Sequence, residues 1–174
     1  EIGSGLVGSE MCIRDSIDTS VLVNKLRVPG MSNEAEHIDE EFKKAVESEE
    51  VLILPLATII ETGNHIAHIP DGNIRRNIAA KFGEYLRKTV EGEAPWRFYG
   101  VELDKNGLLY LADHIEENAL NQIGVGDMSI KYAYEQFKNK TPGIGRIMIW
   151  STDKHLQGYY DENVSLNMSR RRRK

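Results

Sequence analysis

Two uninterrupted apolar runs, Val51-Leu52-Ile53-Leu54 and Ile147-Met148-Ile149-Trp150, do most to limit what this chain can become. Neither alternates polar with apolar residues, so neither suits a sheet with one wet face. Both suit strands covered by helices on two sides. Pro55 stops the first run. Elsewhere apolar residues recur at three- and four-residue spacing. Ile38, Phe42, Ala45 and Val46 mark a helix within residues 33–49, and Thr58 to Ile69 reads as a second, ended before the turn Pro70-Asp71-Gly72. Ile74, Ile78, Phe82, Tyr85 and Leu86 mark another, and Leu108 to Leu120 is helical and richly apolar. Ile130, Ala133, Tyr134 and Phe137 mark a helix beginning near Asp127. Ile17 to Val23 reads as the end of a β-branched strand followed by a turn, Pro95 to Leu103 as irregular or extended, and Val164 to Leu166 as a short last strand. Strands alternating with helices predict a single α/β domain, a parallel central sheet flanked by helices on both faces.

The chain has 174 residues, enough for one compact core. Its 22 Lys and Arg against 27 Asp and Glu give a net charge of −5, which excludes a nucleic-acid binder acting through bulk positive charge. The longest apolar run, Val51 to Leu56, falls far short of the roughly 20 residues that span a bilayer. One cysteine, Cys12, permits no internal disulfide and no cysteine-built zinc site. No start carries the charged, apolar, small-residue order of a secretory signal, so a soluble cytoplasmic protein is expected.

The ends differ from the middle. Glu1 to Ser16 has no apolar period, and Leu6-Val7-Gly8-Ser9-Glu10-Met11-Cys12-Ile13-Arg14-Asp15-Ser16 resembles the in-frame translation of a transposon-type sequencing adapter. We therefore read residues 1–16 as a non-native segment, 17–166 as the functional domain, and 167–174 as a disordered basic tail containing Arg170 to Arg173 and Lys174. A first strand would then draw on Cys12-Ile13-Arg14-Asp15-Ser16, with two charges where burial is costly. The chain is expected to be less stable than one with an apolar first strand.

Four acidic residues stand where such a sheet collects chemistry. Ligands of open α/β sheets bind beyond the carboxyl ends of the strands. Asp18 follows the first strand and Asp153 the last long one, in Trp150-Ser151-Thr152-Asp153-Lys154. Glu61 lies near the start of the helix after Val51–Leu54, and Asp127 heads its helix after Gly124-Val125-Gly126. Singly, Asp127 suits a helix N-cap, and Asp18 and Asp153 suit turns. As a set they repel one another unless cations neutralise them, and hard oxygen ligands suit Mg²⁺ or Mn²⁺.

At these residues the chain resembles the PIN domains, and among them the small VapC-type ribonuclease toxins. The resemblance runs from Ile17 to about Leu166. It is carried by Ile17-Asp18-Thr19-Ser20-Val21-Leu22, Leu54-Pro55-Leu56-Ala57-Thr58-Ile59-Ile60-Glu61, Gly126-Asp127-Met128-Ser129-Ile130 and Ser151-Thr152-Asp153-Lys154-His155-Leu156. The first and last of these are the most specific. It implies catalytic, metal-binding roles for Asp18, Glu61, Asp127 and Asp153, with Ser20 and Thr152 in support. The segment Lys138 to Arg146, with Pro142, Gly143 and Gly145, departs from a minimal member as an insertion would.

The resemblance implies metal-assisted hydrolysis of RNA phosphodiester bonds, one or two Mg²⁺ or Mn²⁺ ions activating water at the four carboxylates. It also implies an RNA substrate, a cognate antitoxin protein, homodimerisation and no membrane. An acidic site needs local basic help to meet phosphate. Arg75, Arg76, Lys81, Arg87 and Lys88 are candidates for RNA binding, with a solvated helix face as the plainer explanation. Asn64 shares a helical face with Glu61 and is a candidate to orient a carboxylate or water. His65 and His68 at three-residue spacing are a weak metal signal, and Trp96, Phe98 and Tyr99 suit packing better than base stacking. The alternative reading is a catalytically silent PIN-like module that binds RNA or protein. A phosphatase is disfavoured because Ser20 stands where its second aspartate would be.

Overall fold

The computed structural model describes residues 13–100, 104–140, 146–153, 156 and 160–162. In chain order the elements are β1 (Ile13–Ile17), α1 (Thr19–Leu26), α2 (Ala35–Glu47), β2 (Val51–Pro55), α3 (Leu56–Ala67) and α4 (Gly72–Glu91). Then follow β3 (Trp96–Tyr99), α5 (Lys105–Leu120), α6 (Val125–Lys140), β4 (Arg146–Trp150) and β5 (Tyr160–Glu162). The sheet order is β3-β2-β1-β4-β5. The first four strands run parallel, and β5 pairs antiparallel with β4. The chain is α/β with a parallel sheet, as the alternation of patterns predicts.

Successive strand residues point to opposite faces, and here both faces are apolar. Ile17, Leu52 and Leu54 join Val21, Leu22, Ile38, Phe42, Phe82 and Trp96 in one cluster, with Trp150 packed against it. Ile147 and Ile149 join Ala57, Ile130, Tyr134 and Leu156 in a second. Each fully buried side chain of this size contributes about 1.5–3 kcal/mol. Phe42 links the larger cluster, its ring meeting Trp96 at 5.7 Å and Trp150 at 4.6 Å between centroids. The Trp96 indole donates to Thr89 Oγ1 at 2.8 Å, which satisfies its one polar atom.

Several elements differ from the sequence expectation. Residues after Ile17 form α1, not a turn: Asp18 caps it by accepting from Ser20 N, and Val21, Leu22 and Val23 are all buried. Core packing outweighs the β preference of that branched run. Pro95 to Leu103 contributes a true strand, β3, because Trp96–Tyr99 pairs with Leu52–Pro55. Residues 101–103 lie outside the described residues, as do Val164 to Leu166 and the basic tail; the described last strand is Tyr160–Glu162. The segment expected as an insertion continues α6 to Lys140, and residues 141–145 lie outside the described ones. Val46 and Ile74, expected on buried faces, are exposed. The apolar helix α5 buries only Gly107, leaving Leu108, Leu109, Ile115 and Leu120 exposed. No helix among the described residues is long and apolar enough to cross a membrane.

The sheet takes its middle strand from the adapter-like segment, since β1 lies between β2 and β4. The side chains of Arg14 and Asp15 lie outside what is described. Ser16 is buried at 4 % exposure, and its hydroxyl has no hydrogen-bond partner. It borders a cavity of about 10 Å³ lined by Ile53, Tyr99, Ala133, Tyr134, Phe137 and Ile147. A buried, unpaired hydroxyl costs about 1–3 kcal/mol. Ser16→Val exchanges it for a branched apolar side chain suited to a strand, and it is expected to stabilise the protein by about 1–2 kcal/mol. A thermal melt reads this as a higher midpoint. An unchanged or lower midpoint means the core has no use for an apolar residue there.

Candidate active site

Asp18 stands one residue beyond β1, where its backbone N–H donates to Trp150 O at 3.0 Å and so extends the pairing with β4. The side chain is buried at 4 % exposure. Its Oδ2 accepts from the hydroxyls of Ser20 and Ser151, each at 2.7 Å, and from Ser20 N at 3.2 Å. The same two hydroxyls accept in turn: Thr152 N donates to Ser20 Oγ and Asp153 N to Ser151 Oγ, both at 2.9 Å. Asp18 thus ties the start of α1 to the chain leaving β4. Thr58 Oγ1 donates to Ile17 O at 2.8 Å, which brings α3 to the same edge.

Glu61 lies in the second turn of α3 and is partly buried. Its Oε2 accepts from Thr19 Oγ1 at 2.7 Å, and its carboxylate lies directly against Gly126 of α6. Asp127 is the third residue of α6, inside the first turn and not its cap. Asp153 is exposed, three residues past β4. The four acids belong to one electrostatic unit. Burial first, and then the charges of Asp18, Glu61 and Asp153, push the Asp127 carboxyl up to about 6, while Lys131 pulls it down. Lys131 lies one turn along α6 and is itself 7 % exposed.

Among the described residues, no three carboxylates, histidines or cysteines stand together closely enough to ligate one ion. The donors nonetheless match a hard cation in kind: they are carboxylate oxygens, those of Asp18 buried. Mg²⁺ is commonly held by one or two carboxylates with water completing its shell, so three converging ligands are not required. The three hydrogen bonds that Ser20 and Ser151 make to Asp18 all fall on Oδ2.

Of the supporting residues expected from sequence, Ser20 contacts Asp18 directly. Thr152 contributes its main-chain N–H, and the hydroxyl reaching Asp18 from this segment is that of Ser151. Asn64 is exposed, with its carbonyl capped by His68 Nδ1 at 2.7 Å. Thr19, Ser151, Gly126 and Lys131 were not singled out by sequence reasoning. Their signals were a doubled hydroxyl after Asp18, a doubled hydroxyl before Asp153, and one-residue and four-residue offsets from Asp127.

The basic residues of α4 do not gather at the acids. Arg75 Nη1 donates to Ile69 O at 2.9 Å, closing the end of α3. Lys81 donates to Lys25 O and lies over the Tyr85 ring. Lys88 pairs with Glu84 at 2.8 Å. The end of α4 lines a cavity with Val51 and Trp96, the first residues of β2 and β3, so Arg87 and Lys88 lie toward the amino edge of the sheet. Arg75 and Arg76, in the first turns of α4, lie about 17–20 Å along the helix from them. Trp96 is buried in the core, whereas Phe98 is exposed.

The raised Asp127 carboxyl makes a signed prediction. Between pH 3.8, its ordinary value, and about 6, the folded protein holds a proton that the unfolded chain has released. Stability from this group therefore falls as pH rises through that window and stays low above it. Allowing for partial exposure, the penalty is about 1–2 kcal/mol. In melts with chelator, Asp127→Asn is expected to gain on the parent by about 2–6 °C between pH 4 and pH 7.5. A difference independent of pH means the four acids are not coupled.

No protein-family model matches this sequence and no curated protein is significantly similar to it, so the chemistry of the site rests on its own residues.

Proposed function

We propose that this chain is a PIN-like endoribonuclease of the VapC type that uses Mg²⁺ or Mn²⁺ to hydrolyse RNA phosphodiester bonds. The observation that carries the reading is the convergence of four carboxylates, drawn from four separate parts of the chain, beyond the carboxyl ends of parallel strands. Burial first, and then the other three charges, push the Asp127 carboxyl up to about 6, so ionising it opposes folding. Groups held at such cost are a mark of functional sites.

Asp18, Glu61, Asp127 and Asp153 would hold the ion, directly or through its water. When bound, it supplies a water acidic enough to attack phosphorus and positive charge for the developing oxyanions. The chain's own residues do the positioning. Ser20 and Ser151 fix the Asp18 carboxylate, and Thr19 fixes that of Glu61. Lys131 offsets part of the negative charge at Asp127. No side-chain nucleophile is required. Arg75, Arg76, Lys81, Arg87 and Lys88 of α4 would serve as basic contacts for RNA. The same reading makes the protein the toxin of a toxin–antitoxin pair, blocked by a small protein partner.

The test uses the Ser16→Val chain and its Asp18→Asn variant, both checked for folding by circular dichroism. Incubation with single-stranded and structured RNA is expected to give cleavage that requires Mg²⁺ or Mn²⁺ and stops with chelator. Asp18→Asn is expected to reduce the rate about 100-fold or more, which is about 3 kcal/mol of transition-state stabilisation. Intact RNA after exposure to folded, metal-loaded protein would instead assign the silent binding module.

A further inference from the structure

Glu61 is clamped from two sides. Thr19 donates to its Oε2 at 2.7 Å, and the other carboxylate oxygen lies on the backbone of Gly126. A Cβ at position 126 would overlap both that oxygen and the carboxyl carbon, and the three atoms it would approach most closely all belong to Glu61. The backbone offers no reason for glycine. Gly126 is the second residue of a 16-residue helix, and among the described residues only Gly30 and Gly92 are glycines with positive φ. Alanine is the better helix former. The glycine is therefore explained by what lies against it, the Glu61 carboxylate.

We propose that Gly126 is a positioning residue: its missing side chain seats the Glu61 carboxylate against the first turn of α6, beside Asp127, and so sets where a divalent cation is held. The proposal rests on the metal-site reading for its consequence, but not for its geometry. Any side chain at 126 must push Glu61 off Thr19 and away from the other acids. The displaced group is the end of a flexible side chain, so the fold survives the change. Thr19 and Gly126 then act as two halves of one clamp, a hydroxyl that holds one oxygen and a missing Cβ that admits the other.

The experiment is a double-mutant cycle on Gly126→Ala and Glu61→Ala, with Gly126→Ala combined with Glu61→Asp as the rescue. In chelator, Gly126→Ala is expected to lower the melting temperature by about 2–5 °C when Glu61 is present and not to lower it in Glu61→Ala, where the carboxylate to be displaced is gone. Equal effects in the two backgrounds overturn the proposal, whether or not the protein binds metal. Mn²⁺ affinity, read from the paramagnetic resonance of the free ion, gives the second arm. Gly126→Ala is expected to weaken it about 10-fold in the parent and leave Glu61→Ala unchanged, with the shorter side chain of Glu61→Asp recovering part of the loss. A tenfold loss in both backgrounds overturns the positioning role, because the alanine would then be acting on a different ligand. A parent that binds no Mn²⁺ defeats the metal reading, and the chelator melts still decide the clamp.

Discussion

One carboxylate oxygen, Oδ2 of Asp18, holds together parts of the chain that are otherwise separate. Through Ser20 it is the cap of α1, and through Ser151 it grips the segment leaving β4. The backbone N–H of the same residue continues the ladder between β1 and β4. A buried carboxylate is tolerable only when its desolvation is offset by hydrogen bonds. Here the two hydroxyls that supply them are each held by a backbone N–H in return. Asp18 is therefore both a structural junction and the most firmly held acid of the cluster. Substituting it removes the cap of α1 and the tie to the segment leaving β4 at once, so a loss of activity there is interpretable only beside a folding measurement.

The scaffold around this junction is under opposing demands. Two apolar clusters, one on each face of the sheet, supply the favourable burial. The acids at the carboxyl edge work against it, and so does the middle strand, where Ser16 buries an unpaired hydroxyl. The proposed metal site would give the first conflict a chemical reason. The second has none in the structure.

Much of this was legible because apolar periodicity survives in any context. The runs at Val51–Leu54 and Ile147–Trp150 became β2 and β4, and most helices fell where three- and four-residue spacing put them. What was not legible depends on neighbours. Val21 to Val23 prefer strands by type but lie in α1, because Asp18 caps a helix there and the core takes their side chains. Trp96–Tyr99 is a strand only because β2 offers an edge. The four acids could be nominated from their places after strands and at helix starts. Which hydroxyl served which acid could not, since Ser151 and Thr152 are adjacent and meet different partners. Nor could the basic residues of α4 be sorted. Arg75 and Lys88 lie 13 residues apart on α4, about 20 Å along its axis, and meet different partners, Ile69 and Glu84.

Charge at the carboxyl edge is only partly balanced. Lys131 is nearly buried one turn beyond Asp127 and is the cation that opposes the cluster's effect there. Burial and the neighbouring carboxylates outweigh it and push the Asp127 carboxyl up to about 6. On the proposed metal-site reading, the uncompensated negative charge would be met by either a proton or a divalent ion. The two would compete for the same oxygens, and metal binding would strengthen as pH rises through that value. On that reading, the raised Asp127 carboxyl that weakens the metal-free fold as pH rises would be the feature that a bound cation relieves. Stability without metal and affinity for metal would then oppose each other through burial and repulsion together, and a substitution that relieves the fold would diminish the affinity.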